Sequence, residues 1–121
     1  MKKIAAAILI TRDNRVILQR RTKDDRTKPN MLALFGGHME NGETPDQTVK
    51  REISEETSLV EPTFSKLAEQ HWYVVKVDTT DFEVYEGAGA EVFRLEEALA
   101  RTDLSYSTRY ALERLKYDRK L

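Results

Sequence analysis

The sequence predicts an α+β protein, and three observations lead to that fold class. The chain opens with an apolar run from Ile4 to Ile10, and residues 3–11 around it are predicted to form a buried strand. A helix with clear start signals follows at Pro45, and a second helix is predicted over residues 105–119. Several short alternating segments typical of strands lie between them. Because no strict βαβ repeat connects these elements, α+β is the favoured class.

The N-terminal part is predicted to form a hairpin, a polar loop and a short strand. Residues 3–11 form the first strand, residues 12–15 a turn, and residues 16–21 the second strand. Residues 22–30 form a polar loop with two open interpretations, a plain connector or a charged flap near a phosphate. A short strand is predicted over residues 31–35.

A helix is predicted to begin at Pro45 and to end near Thr57. Thr44 is the expected N-cap, Pro45 suits the first helical position, and Gln47 completes a capping box. A narrow stripe of residues that suit a core recurs at i, i+4 and i+8 from Val49. This helix is therefore expected to pack against the rest of the domain along one face.

The second half is predicted to be richer in strands than in helices. Its predicted strands cover residues 64–69, 71–77, 82–85 and 91–95, followed by a helical turn over 96–100 and the final helix over 105–119. The segment from Val77 to Asp81 is expected to be a hairpin loop between the second and third of these strands.

Three carboxylates share one face of the predicted helix, because Glu52, Glu55 and Glu56 stand at i, i+3 and i+4. Like charges at these spacings repel by roughly 0.2–0.5 kcal/mol per pair, so the cluster does not stabilise the helix. A hard divalent cation such as Mg²⁺ prefers carboxylate oxygens and would neutralise the cluster. A solvated, charged helix face is the competing interpretation of the same residues.

The residues around this helix extend the pattern. Gly37 is followed after five residues by Glu43, and after seven more by the run Arg51–Leu59. This arrangement resembles the signature box of the Nudix hydrolases, G-x5-E-x7-R-E-U-x-E-E-x-G-U, in which U is a bulky aliphatic residue. Every defined position matches except one, because Ser58 stands where the family usually has glycine. The length of the match favours metal binding over a plain charged face.

Ser58 leads to a separate expectation. A glycine at this position would end the helix in the left-handed conformation. A serine held in that conformation would cost about 1 kcal/mol. We therefore expect Ser58→Gly to stabilise the protein and to leave catalysis unchanged.

The resemblance implies an α/β/α sandwich around a mixed β-sheet, formed by a single domain over residues 1–121. A chain of this length suffices for a core, and it contains no cysteine for disulfides. The net charge of −1 argues against a basic nucleic-acid surface, and no apolar run approaches the ~20 residues of a membrane span. We expect a cytoplasmic monomer or homodimer that binds a small nucleotide, and neither nucleic acid nor membrane.

The resemblance also implies a metal-dependent active site. The predicted metal ligands, for Mg²⁺ or alternatively Mn²⁺, are Gly37, Glu52, Glu55, Glu56 and Glu86. The predicted catalytic residues are Glu52, Glu55 and Arg51. Glu52 is the preferred general base, and Arg51 is expected to brace the carboxylates more than to contact the substrate. Glu91 competes with Glu86, because both lie in the same glycine-rich segment.

Four residues are predicted to contact the substrate. Arg20 and Arg21 end the second strand, and one of them is expected to clamp a phosphate opposite the acidic helix. Tyr106 and Tyr110 are candidates for stacking on the base, although tyrosines at this spacing also suit a core. Trp72 opens a predicted strand, so packing is favoured for it over base stacking.

The predicted function is Mg²⁺-dependent hydrolysis of a nucleoside diphosphate-linked substrate. A (deoxy)nucleoside triphosphate, cleaved to monophosphate and pyrophosphate, is the first choice, and a nucleotide sugar resembling ADP-ribose is the alternative. A non-catalytic nucleotide-binding module is a second class, and the complete set of box glutamates argues against it. An isoprenoid diphosphate isomerase is a third class, and the lack of cysteine argues against it.

Overall fold

The computed structural model describes residues 3–60, 62–67 and 71–119. These residues form seven strands and three helices. None of these three helices is long and apolar enough to cross a membrane. In chain order the elements are β1 (Ile4–Thr11), β2 (Arg15–Arg20), β3 (Leu32–Ala33), β4 (Phe35–His38), α1 (Pro45–Glu56), β5 (Thr63–Lys66), β6 (Trp72–Val77), β7 (Ala90–Arg94), α2 (Leu95–Leu99) and α3 (Tyr106–Arg119).

Strand β1 is the centre of the sheet. It pairs in parallel with β6 along residues 6–11, and antiparallel with β2 and β4. Strand β2 pairs with residues 9 and 10 of β1, whereas β4 pairs with residues 4–7 of β1. The strands β2 and β4 therefore lie end to end along the same edge of β1. This divided edge brings the end of β2 close to the glycines of β4.

Strand β1 also separates two cores, because its alternate side chains point to opposite faces of the sheet. Ile8 lies in one core with Leu112 of α3. Leu9 lies in the other core with Val49 and Ile53 of α1. Full burial of a side chain of this size stabilises the fold by about 1.5–3 kcal/mol. The sheet is thus held between α1 on one side and α2 with α3 on the other, which confirms the predicted α+β sandwich.

The short strand predicted over residues 31–35 is divided into β3 and β4. The break falls at Leu34, whose N–H donates to Thr108 Oγ1 of α3 at 3.1 Å rather than to a neighbouring strand. Thr108 is fully buried and also contacts Ser105 Oγ at 2.7 Å. This contact ties the start of α3 to the divided edge of the sheet.

The prediction of a strand over residues 82–85 is wrong, and so is the prediction of a hairpin loop that joins it to the preceding strand. Val84 makes only an isolated bridge to Thr57, at the end of α1, and does not pair with β6. The other neighbour of β6 is β5, which ends at Lys66 instead of extending to residue 69. Residues 68 and 69 of that prediction lie outside the described residues.

The end of α1 also differs from the expectation. Thr57 at the C-cap is extended, with φ of −137°, and among described non-glycine residues a positive φ occurs at Asn14 and Asn30 alone. Ser58 is therefore not left-handed, and the expected gain from Ser58→Gly is wrong. Instead, the Ser58 N–H donates to the Glu83 carbonyl at 3.0 Å, and the Glu83 N–H donates to Ser58 Oγ at 2.8 Å. These bonds hold the segment after Glu83 against the helix end.

Candidate active site

The start of α1 is held by the capping box that the sequence predicts. The Gln47 N–H donates to Thr44 Oγ1 at 3.3 Å, and the Thr44 N–H donates to Gln47 Oε1 at 3.0 Å. Because Ile53 on the apolar face packs against the sheet, the acidic face turns towards Gly37 of β4. A Cβ atom at Gly37 would lie 2.5 Å from Glu52 Oε1, so any larger residue there would displace the end of the Glu52 side chain.

Arg51 is surrounded by oxygen acceptors. Its Nε and Nη2 donate to the two carboxylate oxygens of Glu43 at 2.7 and 3.0 Å. Its Nη1 donates to Glu52 and Glu55 at 3.0 and 3.2 Å, and Nη2 also donates to the His38 carbonyl at 3.1 Å. The bonds from Arg51 lower the pKa of Glu43 to about 2. This is the geometry of a brace that orients carboxylates, and a catalytic role for Arg51 stays a prediction.

Glu56 is a fully buried carboxyl on the same helix, with 1% of its surface exposed. Its Oε1 accepts the Gly36 N–H at 3.1 Å, whereas its Oε2 is buried without a hydrogen-bond partner among the described residues. Burial raises the pKa of Glu56 to about 8, and the nearby carboxylates of Glu52 and Glu86 add to the rise. Such a carboxyl needs a proton or a cation to offset the cost of its burial.

The acidic residues suit a hard divalent cation in their chemistry, although they do not converge on one point. In the part of the chain that the structure describes, no three His, Asp or Glu side chains lie close enough together to hold a metal ion. Arg51 holds Glu52 and Glu55, and a backbone amide holds Glu56. The unpartnered Glu56 Oε2 and the closely packed Gly37 nevertheless form the oxygen-rich surroundings that Mg²⁺ prefers. A metal ion held by three of these carboxylates would require them to rotate, whereas one or two carboxylates with water suffice for Mg²⁺.

A cavity of about 680 Å³ lies over the acidic face of α1. This volume is typical of small-molecule sites. Its lining includes the acids Glu40, Glu52, Glu55 and Glu86, the cations Arg21, Lys28 and Arg51, the glycines Gly36 and Gly37, and the side chains of Trp72 and Ser107. Of the two competing acids in the glycine-rich segment, Glu86 faces this cavity, whereas Glu91 binds Arg20 at 2.6 Å.

The two arginines at the end of β2 point in different directions. Arg21 lines the cavity, and its Nη2 lies 2.7 Å from Asp25 Oδ2. Arg20 instead forms ion pairs with Glu91 and Asp103, at 2.6 and 2.8 Å, on the side of the sheet that carries α3. Arg20 is the last residue of β2 and Arg21 follows it directly, and of the two only Arg21 belongs to the cavity lining. The sequence predicted that one of these two arginines clamps a phosphate, and this stays a prediction, for which Arg21 rather than the ion-paired Arg20 is in place.

The polar loop contributes to the same cavity. Thr27 and Lys28 line it, and their N–H groups donate to Asp25 Oδ1 at 3.1 and 2.8 Å. The bond from the Lys28 N–H holds the pKa of Asp25 well below its usual range, and the ion pair between Asp25 and Arg21 lowers it further. Asp25 thereby ties the loop to Arg21 at the cavity, and the choice between a connector and a charged flap stays open.

Trp72 is the cavity residue that sequence reasoning assigned to packing. Its half-buried ring lines the cavity and lies 5.2 Å from the Tyr110 ring, with the two planes inclined by 58°. Tyr106 is 87% exposed and lies outside the cavity lining, whereas Ser107 belongs to it. Trp72 also packs against the core on the α3 side of the sheet, so the predicted packing is present, and no local sequence signal indicates its place at the cavity.

The fold and the site define a class of protein, an α/β/α sandwich that presents the acidic face of one helix to an open cavity. A family model described as NUDIX domain matches residues 1–115. The chain therefore belongs to the NUDIX domain family, which confirms the resemblance seen in the sequence.

Individual relatives agree with this assignment. The 8-oxo-dGTP diphosphatase of Escherichia coli strain K12 is 40% identical over 67 residues, which cover 54% of this chain and 51% of that enzyme. The match thus spans about half the length of this curated relative. The protein DR0079 of Deinococcus radiodurans has a TM-score of 0.81 at 21% identity, with 93% of this chain and 82% of that chain covered. The dihydroneopterin triphosphate pyrophosphohydrolase of Escherichia coli has a TM-score of 0.79 at 19% identity, with 97% of each chain covered. Both structures share the fold.

Proposed function

We propose that this protein is a divalent-metal-dependent pyrophosphohydrolase that cleaves a (deoxy)nucleoside triphosphate to the monophosphate and pyrophosphate. One observation carries the proposal: a cavity brings carboxylates, cations and an aromatic ring together. Carboxylates suit a metal ion, cations suit the phosphates, and a ring suits the base. Membership of the NUDIX domain family supports the same class of reaction.

The metal ion would be held by the acidic face of α1. Glu56 offers an unpartnered buried oxygen, and Glu52 and Glu55 lie on the same face of the helix. The Gly37 carbonyl and the Glu86 carboxylate are the remaining proposed ligands, because both residues line the cavity. Mg²⁺ is the proposed ion, and Mn²⁺ takes the same oxygen ligands. When bound, the ion neutralises phosphate oxygens and lowers the pKa of a coordinated water molecule.

Glu52 is the proposed general base. Burial raises the pKa of its carboxyl above the ordinary value, which brings it closer to the pH at which a base works best. Arg51 donates to Glu52 at 3.0 Å and to Glu43 at 2.7 Å, so it holds the base in one orientation. Glu52 would accept a proton from the attacking water while the water oxygen bonds to phosphorus. The bridging P–O bond between the monophosphate and the pyrophosphate would break in the same step.

Arg21 and Lys28 are proposed to hold the phosphates, and Trp72 the base. The two cations lie in the same loop region and line the cavity opposite the acidic helix. Aromatic stacking accepts every base, so we expect broad base selection. The 40% identity to an 8-oxo-dGTP diphosphatase supports a triphosphate over a nucleotide sugar as the substrate.

A substrate panel tests the proposal. The four dNTPs, 8-oxo-dGTP and ADP-ribose are each assayed with Mg²⁺ or Mn²⁺, and released pyrophosphate and phosphate are measured. We expect pyrophosphate from the triphosphates, and no turnover in EDTA. A kcat/KM for ADP-ribose about tenfold above every triphosphate, equivalent to about 1.4 kcal/mol, would make the nucleotide sugar the substrate. If no compound of the panel is turned over in the presence of metal, the proposed hydrolase activity is rejected and a non-catalytic nucleotide-binding module becomes the better interpretation.

Matched variants separate the site from the fold. Lys28→Met is expected to raise KM, whereas Lys23→Met is not, because Lys23 is an exposed residue of the same loop outside the cavity lining. Trp72→Ala is expected to raise KM for all bases alike, whereas Tyr106→Ala is not. Equal effects within either pair would contradict the assignment of this cavity as the active site.

A further inference from the structure

Gln19 is a fully buried polar residue whose side chain lies between two parts of the proposed site. It belongs to β2 and is 0% exposed. Its Nε2 donates to the Glu86 carbonyl at 3.2 Å, and its Oε1 accepts from Arg21 Nη1 at 3.1 Å. Both partners line the cavity, whereas Gln19 itself does not.

The turn that follows Glu86 packs directly on this part of β2. Gly87 has a φ of +71°, and a Cβ atom there would lie 2.5 Å from the Arg20 carbonyl and 3.3 Å from Gln19 Cγ. The Ala88 N–H donates to the Arg20 carbonyl at 2.8 Å. The place of the turn is therefore set by contacts with residues 19 and 20.

The chemistry at this position requires a neutral amide. The side chain must donate to the Glu86 carbonyl and accept from the Arg21 guanidinium at once, and an amide supplies both groups. A carboxylate would accept from Arg21 but could not donate to a carbonyl. It would also add a negative charge in the region of Glu56, which is buried and close to two other carboxylates. An apolar side chain would make neither bond.

We propose that Gln19 is a positioning residue for the triphosphate site, an inference that rests on the function proposed above. Its amide holds the Arg21 side chain and the Glu86 turn at a fixed separation. Arg21, which is proposed to bind a phosphate, and Glu86 therefore face the same cavity. Asp25 holds the Arg21 guanidinium at its other nitrogens, 2.7 and 2.8 Å away. Gln19 also lies beside the Glu56 carboxyl group. It therefore acts through side chains and backbone of the site and needs no contact with the substrate.

A double-mutant cycle tests the inference. Gln19→Met keeps the size of the side chain, Arg21→Met removes the cation, and the third variant combines both. The probe is the α,β-methylene analogue of ATP with Mg²⁺, and binding is followed by the fluorescence of Trp72, the only tryptophan of the chain. Each single variant is expected to raise Kd by about tenfold, the scale of a lost charge-assisted hydrogen bond. If Gln19 acts through Arg21, the double variant loses little more than Arg21→Met alone.

Two controls separate positioning from general stability. Gln47→Met removes a capping glutamine of α1, and it is expected to lower the melting temperature without changing Kd. Gln19→Asn retains an amide that is too short to reach both partners, and it takes the place of Gln19→Met if that variant does not fold. Hydrogen exchange at the Ala88 N–H reports on the turn without any ligand, and faster exchange is expected in either Gln19 variant.

The outcomes distinguish this inference from the proposed function. An unchanged Kd in a folded Gln19 variant, unchanged exchange at Ala88, or losses that multiply in the double variant would each overturn the role of Gln19. Lack of turnover by the wild-type protein would reject the proposed function instead. The binding cycle and the exchange measurement would still decide the role of Gln19 in that case, because neither needs hydrolysis.

Discussion

Ser58→Gly is expected to destabilise this protein, although glycine is the residue that usually stands at this place in the signature box. Ser58 is not left-handed, so a glycine relieves no strain there. The substitution removes the Oγ atom that accepts the Glu83 N–H at 2.8 Å. The backbone bond from residue 58 to the Glu83 carbonyl, at 3.0 Å, remains.

The magnitude follows from two contributions. A lost hydrogen bond of this exposed kind costs about 0.5–1 kcal/mol, the lower part of the usual range, because water replaces part of it. Glycine costs about 0.5–1 kcal/mol more through the greater conformational freedom of the unfolded chain. We expect Ser58→Gly to lower the free energy of unfolding by about 1–2 kcal/mol, and Ser58→Ala by about half as much.

Urea denaturation followed by Trp72 fluorescence measures both variants, with linear extrapolation to water. The kcat of both is expected to match wild type, because Ser58 lies outside the lining of the proposed active-site cavity. A Ser58→Gly variant at least as stable as wild type would refute the reasoning from backbone geometry. Equal losses in the glycine and alanine variants would refute the entropic contribution alone.

Three further predictions concern the acidic helix. Glu56→Gln is expected to abolish metal-dependent turnover while leaving the fold intact or slightly more stable, since repulsion from Glu52 is relieved; normal turnover by this variant at low Mg²⁺ would contradict the metal assignment. In EDTA, the melting temperature is expected to fall as the pH rises from 4.5 through about 8, because the pKa of Glu56 is raised in the folded state and the stability that the protonated form supplies is lost over that window. Thermal melts of Glu56→Gln, which should lack this trend, provide the check. Arg51→Lys is expected to lower kcat, because lysine cannot make the bidentate bond to Glu43; steady-state kinetics with an unchanged kcat would show that the brace is dispensable.

The acidic helix and its start were determined by the sequence because their signals are local. The capping box joins Thr44 to Gln47, three residues on, and helical geometry alone puts Glu52 and Glu56 on one face. The resemblance in the signature box supplied the sandwich fold, which the structure and the family match confirm. Neither inference needed a contact between distant parts of the chain.

Tertiary structure alone decided which other residues join this helix. Arg20 and Arg21 are neighbours in the sequence, but only the folded structure pairs Arg20 with Asp103 and places Arg21 in the cavity lining. The place of Trp72 in the cavity lining depends on the pairing of β6 with β1, and the conformation of Ser58 depends on bonds to a residue 25 positions away. Contacts of this kind form between segments that the sequence places far apart, so no local pattern specifies them.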